Sequence, residues 1–327
     1  MYTIAAIIPL YNGAAYIEAA LRSVLDQERP ADEVIIVDDG SIDHGPSMVA
    51  AMAAENPKIR LLQKKNGGQG SARNYGVAHC NSDLIALLDQ DDFWYGNHLK
   101  DLESAFVAAE SPDLGYVYSN LDRFDPEGTL SYPKYLDHFR TDEHPKTTLI
   151  GCLKEDMYIL PSATLISKSA FQSVQGFDER LRGFEDDDLF LKLFCAGFKS
   201  VYIDKALSGW RIHSQSSSAS VSMLISAQVY YDKLIEAFNN KTEAHRDLVV
   251  DVIAPRFALF SYRAFRGYLK QNRSLADSKL ALDFALKCMR KMRGAGRAKM
   301  QLRISKYIAL FYFKQLLDKR GAAAGQV

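Results

Sequence analysis

Cysteine is scarce in this chain. Its 327 residues hold four, Cys80, Cys152, Cys195 and Cys288, and no two form a Cys-x-x-Cys pair. That argues against a disulfide framework or a zinc site and makes a reducing cytoplasm the simplest compartment. No run of 18 apolar residues exists, so no membrane-spanning helix is expected. Net charge is missing too. Forty Lys and Arg balance forty Asp and Glu, so no global field draws the chain to nucleic acid. The first ten residues lack a basic flank and a small-residue cleavage site. They lead straight into Pro9-Leu10-Tyr11-Asn12-Gly13, so they read as a strand entering a turn and not as a signal peptide. There is no internal repeat. With 47% hydrophobic and 24% charged residues, the composition excludes a wholly disordered chain.

What is present first is alternation. Ile4–Leu10 is an apolar, isoleucine-rich run, as expected of a strand covered on both faces. Residues 15–27 carry helical spacing at Ile17, Leu21, Val24 and Leu25. A second strand over 33–37 ends at Asp38-Asp39-Gly40-Ser41. An alanine-rich helix over 46–55 opens with proline. A third strand spans 59–62, a glycine-rich loop 66–70, a helix 71–79, and a fourth strand 84–88 ends at Asp89-Gln90-Asp91-Asp92. This βαβαβαβ order predicts an α/β fold with a mostly parallel sheet, whose ligands bind outside the carboxyl ends of the strands. The unusual polar clusters all fall at such ends. Residues 97–202 mix helices, strands and proline-punctuated loops, expected to complete the sheet and build an acceptor pocket. Residues 214–222 read as a serine-rich loop. The chain from 223 onward reads as helical, with a break at 294–296 and a frayed tail over 321–327.

Each cluster has a chemical reading and a plainer one. Asp89, Asp91 and Asp92 at a strand end suit a hard divalent cation, which takes one or two carboxylates together with substrate phosphates. The plainer reading is an acidic turn with Asp92 as a helix cap. Asp38-Asp39 suits a hydrogen bond to a base or ribose, or an Asx-turn. The loop from Asn66 to Asn74 is neither a Walker A loop nor a dinucleotide fingerprint. Its amides and Arg73 favour an anion, and the alternative is a simple connector. Four acids in a row, Glu185 to Asp188, exceed what a helix dipole needs, and one carboxylate there could serve as a general base. Trp210-Arg211-Ile212-His213 follows a strand-like stretch near 201–203, and its histidine taken alone reads as structural.

Together these stretches resemble the family 2 glycosyltransferases, inverting enzymes with the GT-A fold. The matching segments are Ile7-Ile8-Pro9-Leu10-Tyr11-Asn12, Val37-Asp38-Asp39-Gly40-Ser41, and Asn66 with Gly68, Ala72-Arg73-Asn74 and Gly76. Then come Leu88-Asp89-Gln90-Asp91-Asp92, Gly176-Phe177-Asp178-Glu179, Glu185-Asp186 with Leu189, and Trp210-Arg211 with His213. They stand in the family's order and cover about residues 3 to 215. The resemblance implies a GT-A nucleotide-diphospho-sugar transferase domain over 1–215, split into a nucleotide-sugar half (1–95) and an acceptor and catalytic half (96–215). A helical, basic extension over 216–327 follows, without a recognised motif. It also implies roles. Tyr11 would lie against the base, with Pro9 shaping that wall and Asn12 beside it. Asp39 would bond the base, with Asp38 close by, and Arg73 would sit near base or diphosphate. Asp89 would contact ribose or sugar. Asp91 would bind Mn²⁺ or Mg²⁺, with His213 a further metal or diphosphate ligand. Asp186 would be the catalytic base. Lys192 stands where many members have arginine. The missing Gln-x-x-Arg-Trp motif speaks against a processive synthase.

The implied reaction is transfer of a sugar, a hexosyl group of a UDP-sugar first among the choices, to a hydroxyl of a glycan or lipid-linked glycan in cell-envelope polysaccharide assembly. Two other classes compete. A sugar-nucleotide nucleotidyltransferase would carry a glycine-rich, lysine-containing signature near the first strand, where Pro9-Leu10-Tyr11-Asn12 stands. A non-catalytic nucleotide-sugar binder would not need both Asp91 and Asp186. The last segment has its own signal. Between positions 287 and 320 eleven Lys and Arg face one acid, Asp318, so the segment is +10 and the remainder −10. Within 294–320 the cations surround an apolar block too short to span a bilayer. An anionic membrane surface is the expected partner, with peripheral attachment at the inner face of the plasma membrane. A terminal helix packed on the protein's own core is the alternative.

Overall fold

The computed structural model describes residues 2–138, 143–213, 221–271 and 273–324, with the side chains of the last helix described through Gln315. Two compact units emerge, residues 1–147 with 157–216, and 148–156 with 217–327. In chain order, β1 (Ile4–Leu10), α1 (Ile17–Leu25), β2 (Glu33–Asp38), α2 (Gly45–Glu55), β3 (Ile59–Gln63), α3 (Gln69–Ala78) and β4 (Leu84–Leu87) alternate as the sequence predicts. Then come β5 (Phe93–Trp94), α4 (His98–Ala108), β6 (Leu114–Phe124), β7 (Leu130–Tyr132), α5 (Leu149–Leu153), β8 (Thr164–Ser167), α6 (Lys168–Ser173), α7 (Glu185–Cys195) and β9 (Lys199–Arg211). All but α5 belong to the first unit.

The sheet runs β3-β2-β1-β4-β8-β6-β9-β5, with β7 beside β6. Strands β1 to β4, β6 and β9 point one way, while β5, β7 and β8 run against them. Every residue of β1 is buried, because helices cover both sheet faces. On one face Ile4, Ala6, Ile8 and Leu10 pack with Ile17, Leu21 and Val24 of α1 and Leu99 and Leu102 of α4. On the other face α3 crosses β1 so closely that a Cβ on Gly76 would stand 2.6 Å from Ile7 Cγ2. Glycine is required there by contact, not by backbone freedom. Farther along that face Tyr116 of β6 meets Phe190 of α7, ring centroids 4.9 Å apart. Helices α3 and α7 thus share one side, and their first turns reach the edge where the parallel strands end.

β9 departs from the sequence expectation. It runs 13 residues and includes Trp210 and Arg211, which the sequence places after a short strand. Register shifts against Ser119 and Asn120 of β6 turn Asp204 and Lys205 outward mid-strand, which hides the alternation.

The second unit holds α5, α8 (Val221–Phe238), the hairpin β10 (Thr242–Glu243) and β11 (Arg246–Asp247), α9 (Ala254–Lys270), α10 (Leu275–Lys291) and α11 (Gly294–Ala324). Tyr231, Phe257 and Phe284 form its aromatic centre, with centroids 5.5 to 6.3 Å apart. Residues 148–156 belong here and not with the transferase domain to which the sequence assigns them. The amides of Leu149 and Ile150 donate to the Glu243 carboxylate at 3.2 and 2.6 Å, a partner too distant in sequence to foresee. The expected break falls between Lys291 and Gly294, where Gly294 takes φ +59°. The helix then continues through Ala324, across part of the stretch expected to fray. Residues 214–220 of the expected serine-rich loop and 325–327 of the expected frayed tail lie outside the described residues. So do the side chains of 316–320 in the basic segment. Among the described residues no helix is long and apolar enough to cross a membrane.

Candidate active site

The site lies at the strand ends of the first unit. Pro9 stands two residues beyond the last β1–β4 pairing, Ile7 with Leu87, where no β4 partner asks for its missing N–H. Tyr11 follows with its side chain 49% exposed, a flat ring on the edge. Its amide donates to Gln90 Oε1 at 2.8 Å, and Gln90 Nε2 donates back to the Tyr11 carbonyl at 3.2 Å. Asn12 takes φ +48°. Its amide donates to Ser41 Oγ at 3.0 Å, while its Oδ1 accepts from the Ile42 amide at 2.9 Å. The loops after β1 and β2 are thereby laced together.

Asp38 and Asp39 are buried and turned inward. Asp38 Oδ1 accepts the Ser41 amide at 2.8 Å, which is the Asx-type turn. Asp39 accepts the Gly67 and Gly68 amides at 2.9 and 2.7 Å and the Lys64 ammonium at 2.7 Å. Gly68, at φ +91°, starts α3 from this anchor. Asp39 thus shapes the glycine-rich loop that the sequence reads as an anion cradle.

The resemblance puts Arg73 near base or diphosphate; in the structure its side chain is 1% exposed and taken up by protein partners. Its guanidinium pairs with Asp89 on one side and with Glu185 at 3.3 Å on the other, and it lies over the Phe177 ring at 5.2 Å. Burial opposes its charge, but the Asp89 and Glu185 carboxylates outweigh burial and raise its pKa. One cation therefore ties the end of β4 to the start of α7.

The start of α7 sorts its four acids by position. Phe184 takes a left-handed φ of +64°, which lets the Gly183 amide donate to Glu185 Oε2 at 2.7 Å. Glu185 also accepts from Gln69. Asp187 accepts the Met157 amide at 2.8 Å, and Asp188 faces Lys192 at 3.5 Å. Glu185, Asp187 and Asp188 are buried; Asp186 alone is partly exposed. Its Oδ1 accepts the Asp187 amide at 2.8 Å, which fixes the carboxylate at the helix N-terminus, on the side of Arg73 and Asp89.

The loop after β4 divides its acids in the same way. Asp92 is buried: Oδ2 accepts from Ser162 Oγ at 2.7 Å and Oδ1 from the Arg211 amide at 3.0 Å. Burial, then the charges of Asp91 and Asp89, push its carboxyl well above the usual range. Ser162 Oγ also accepts the Asp89 amide at 3.1 Å. Asp91 and His213 meet with Oδ2 and Nε2 2.8 Å apart, and the His213 ring stacks on Tyr16 at 5.0 Å. Burial first and Asp89 second raise the Asp91 carboxyl, while the His213 bond pulls it down.

Among the described residues no three His, Cys, Asp or Glu side chains stand close enough to hold a metal alone. The donor chemistry still fits one. Asp91 offers carboxylate oxygen and His213 imidazole nitrogen, the Asp89 charge lies close, and a cation would relieve the repulsion that raises Asp91. That is the pattern of an ion completed by substrate phosphates.

Reasoning from sequence missed Gln90, Ser162, Tyr16 and Gln69. Gln90 lay inside a motif already singled out, and a brace between motif and loop is the natural role for an amide there. Ser162 and Tyr16 carry no local signal, because their partners come from remote segments.

The chain is similar to proteins already known. Residues 5–174 match the model of glycosyl transferase family 2. An uncharacterised glycosyltransferase of Rickettsia bellii is 33% identical over 217 residues, 66% of this chain and 31% of that protein. The chondroitin synthase of Pasteurella multocida is 28% identical over 64% of this chain and 21% of its own. The chain spans about a third of the length of the Rickettsia bellii protein and of a Rickettsia conorii relative. TarS 1–349 of S. aureus, solved with UDP-GlcNAc, superposes with a TM-score of 0.64 at 18% identity, covering 98% of this chain and 92% of that one. The mannosyltransferase PcManGT from Pyrobaculum calidifontis, solved with GDP-Man and Mn²⁺, reaches 0.59 at 18% identity over 97% and 88%. At such identities the two structures show a shared fold, and the family match over half the chain gives it a name: the protein belongs to glycosyl transferase family 2, its first unit a glycosyltransferase domain of the GT-A type.

Proposed function

We propose that this protein is an inverting glycosyltransferase. It moves a sugar from a nucleoside diphosphate donor to a hydroxyl of a growing surface polysaccharide or its lipid-linked precursor, at the cytoplasmic side of the membrane. The observation that carries the reading is the shared pairing of Arg73 with Asp89 and Glu185. It joins the strand end that carries Asp89 to the helix start that carries Glu185 and Asp186, although about a hundred residues separate them. Asp186 is the base. It takes the proton of the acceptor hydroxyl, and that oxygen attacks the anomeric carbon from the face opposite the leaving diphosphate. One displacement inverts the anomeric centre. Tyr11 stacks on the base of the nucleotide, uridine by preference. Asp89 orients ribose or sugar.

Asp91 and His213 would hold Mn²⁺ or Mg²⁺. When bound, the cation supplies positive charge to the departing diphosphate. On the acceptor side, the end of β7, the chain after it and the end of β9 carry Tyr132, Tyr135 and Trp210. Tyr135 meets Trp210 edge-on at 5.2 Å, and Tyr132 meets Tyr135 at 6.2 Å. Such rings take the apolar face of a sugar. A relative named for chondroitin synthesis supports a polysaccharide product.

The test is a panel of UDP-, GDP- and dTDP-sugars, with and without Mn²⁺, read by thermal shift and by release of the nucleoside diphosphate. One donor should raise the melting temperature by mass action. Asp186→Asn should keep that shift and lose about 10²- to 10⁴-fold in turnover. Full turnover in Asp186→Asn would remove the assigned base, and no shift with any donor would remove the donor site.

A further inference from the structure

Helix α11 has two apolar faces, and the second unit covers only one. Met300, Ile304 and Phe311 are buried. Phe311 packs on Phe265 of α9 at 5.9 Å, Tyr307 on Tyr262 at 6.2 Å, and the Lys314 ammonium donates to the Leu269 carbonyl at 2.8 Å. The opposite side is not polar, as it would be on an ordinary terminal helix. Leu302 is 62% exposed, Phe313 57%, Tyr312 56% and Leu310 40%. Leu302 and Phe313 stand eleven residues apart, close to three whole turns, so they share one line along the helix. Ala298 and Ala309 lie beside that line and are also exposed. Cations edge the same surface. Arg297, Lys299 and Lys306 are exposed, and residues 294–315 hold five Lys and Arg and no acid.

We infer that the outward face of α11 docks on an anionic lipid bilayer, with Leu302 and Phe313 in the interface and Lys299 and Lys306 at the headgroups. The chemistry favours this occupant over the others. A second copy of the chain would bring two cationic borders together. A nucleic acid would engage the cations and leave Leu302 and Phe313 without use. A bilayer surface takes both, as apolar area and as negative potential. A packed helix and a membrane-facing one, the two alternatives for this segment, would then use opposite sides of one helix. The inference stands apart from the donor and base assignments, because none of these side chains belongs to the first unit.

The experiment is co-sedimentation of the full chain with phosphatidylcholine vesicles, plain or containing about 30% phosphatidylglycerol, a surface charge of the order that attracts polybasic segments. The chain should sediment with the anionic vesicles and remain in solution with the neutral ones. Salt of about 0.5 M, which shortens the screening length to a few ångström, should weaken binding about tenfold or more. Leu302→Ser with Phe313→Ser should cost about tenfold or more through lost apolar area. Lys299→Glu with Lys306→Glu should remove the preference for anionic vesicles. Both pairs change exposed side chains, so their melting temperatures should match the parent. Equal binding to both vesicle types overturns the inference. So does wild-type sedimentation by either double variant, or a vesicle-free oligomer that Leu302→Ser with Phe313→Ser dissolves, the result expected of a surface between copies.

Discussion

Asp91 and His213 stand 122 positions apart in sequence and meet at 2.8 Å. The contact closes the strand-end edge at one point, since the neighbouring Asp92 holds the Arg211 amide from the same side. β4 and β9 are not adjacent in the sheet, and these two bonds, with the pairing of β5 on β9, join the loop after β4 to the end of β9. Removing either member should weaken cation binding more than folding. His213→Ala should raise the Mn²⁺ concentration for half-maximal activity by about 10- to 100-fold, the range that loss of an orienting partner produces. Isothermal titration of Mn²⁺ with and without donor would check it. Unchanged Mn²⁺ dependence would make His213 a purely structural partner of Tyr16 and Asp91.

The Arg73 bridge should matter to the fold before it matters to catalysis. Arg73→Met leaves the Glu185 carboxylate buried without its countercharge, and breaking a buried pair from one side costs about 3–5 kcal/mol. Adding Glu185→Gln to Arg73→Met should recover part of that loss, because a neutral amide can stay buried with the Gly183 amide still satisfied. Urea denaturation of the two single variants and the double variant gives the coupling directly. Strict additivity would mean that the two groups do not interact as drawn.

Much of the first unit was legible in the chain because its signals are local. The isoleucine run of β1, the proline at the start of α2 and the glycines before α3 each report their own element. The acids also stood out, but their roles could not be sorted from sequence. Asp89, Asp91 and Asp92 look alike in a string, and so do Glu185 to Asp188. Burial tells them apart, and burial is set by Ser162, Arg211 and Met157, which arrive from far away. Arg73 shows the same limit. A guanidinium in a glycine-rich loop reads as an anion ligand, and only the fold shows the two carboxylates from other segments that hold it. The α5 segment was misplaced because its partner, Glu243, lies in the second unit.

The aromatic rings beside β9 predict a split in kinetics. Trp210 meets Tyr135, a ring assigned to the acceptor side, so Trp210→Ala should raise the acceptor KM by about tenfold while the donor KM and donor thermal shift stay put. Varying acceptor and donor separately would measure it. A change confined to the donor KM would move Trp210 to the nucleotide side of the cleft.

Acid sensitivity should arise away from the site, at His98. Its ring is fully buried, stacked on Trp94 at 4.3 Å, with Nδ1 3.0 Å from the Leu207 carbonyl. Nε2 has no partner among the described residues. Burial pushes its pKa down to about 3, against the opposing Leu207 bond. The unfolded chain keeps an ordinary value of about 6.5. Above about pH 6.5 neither state is protonated and the neutral core histidine costs nothing extra. As pH falls from there toward about 3, the unfolded state takes up a proton that the folded state refuses. Stability then drops by up to about 1.4 kcal/mol per pH unit. His98→Phe keeps the stack on Trp94 and loses the Leu207 bond, so it should be less stable at pH 7 and yet flatter between pH 6.5 and 4.5. Urea midpoints of both proteins across that range decide the matter. Parallel acid slopes would place the sensitivity in other groups and leave His98 as a packed ring only.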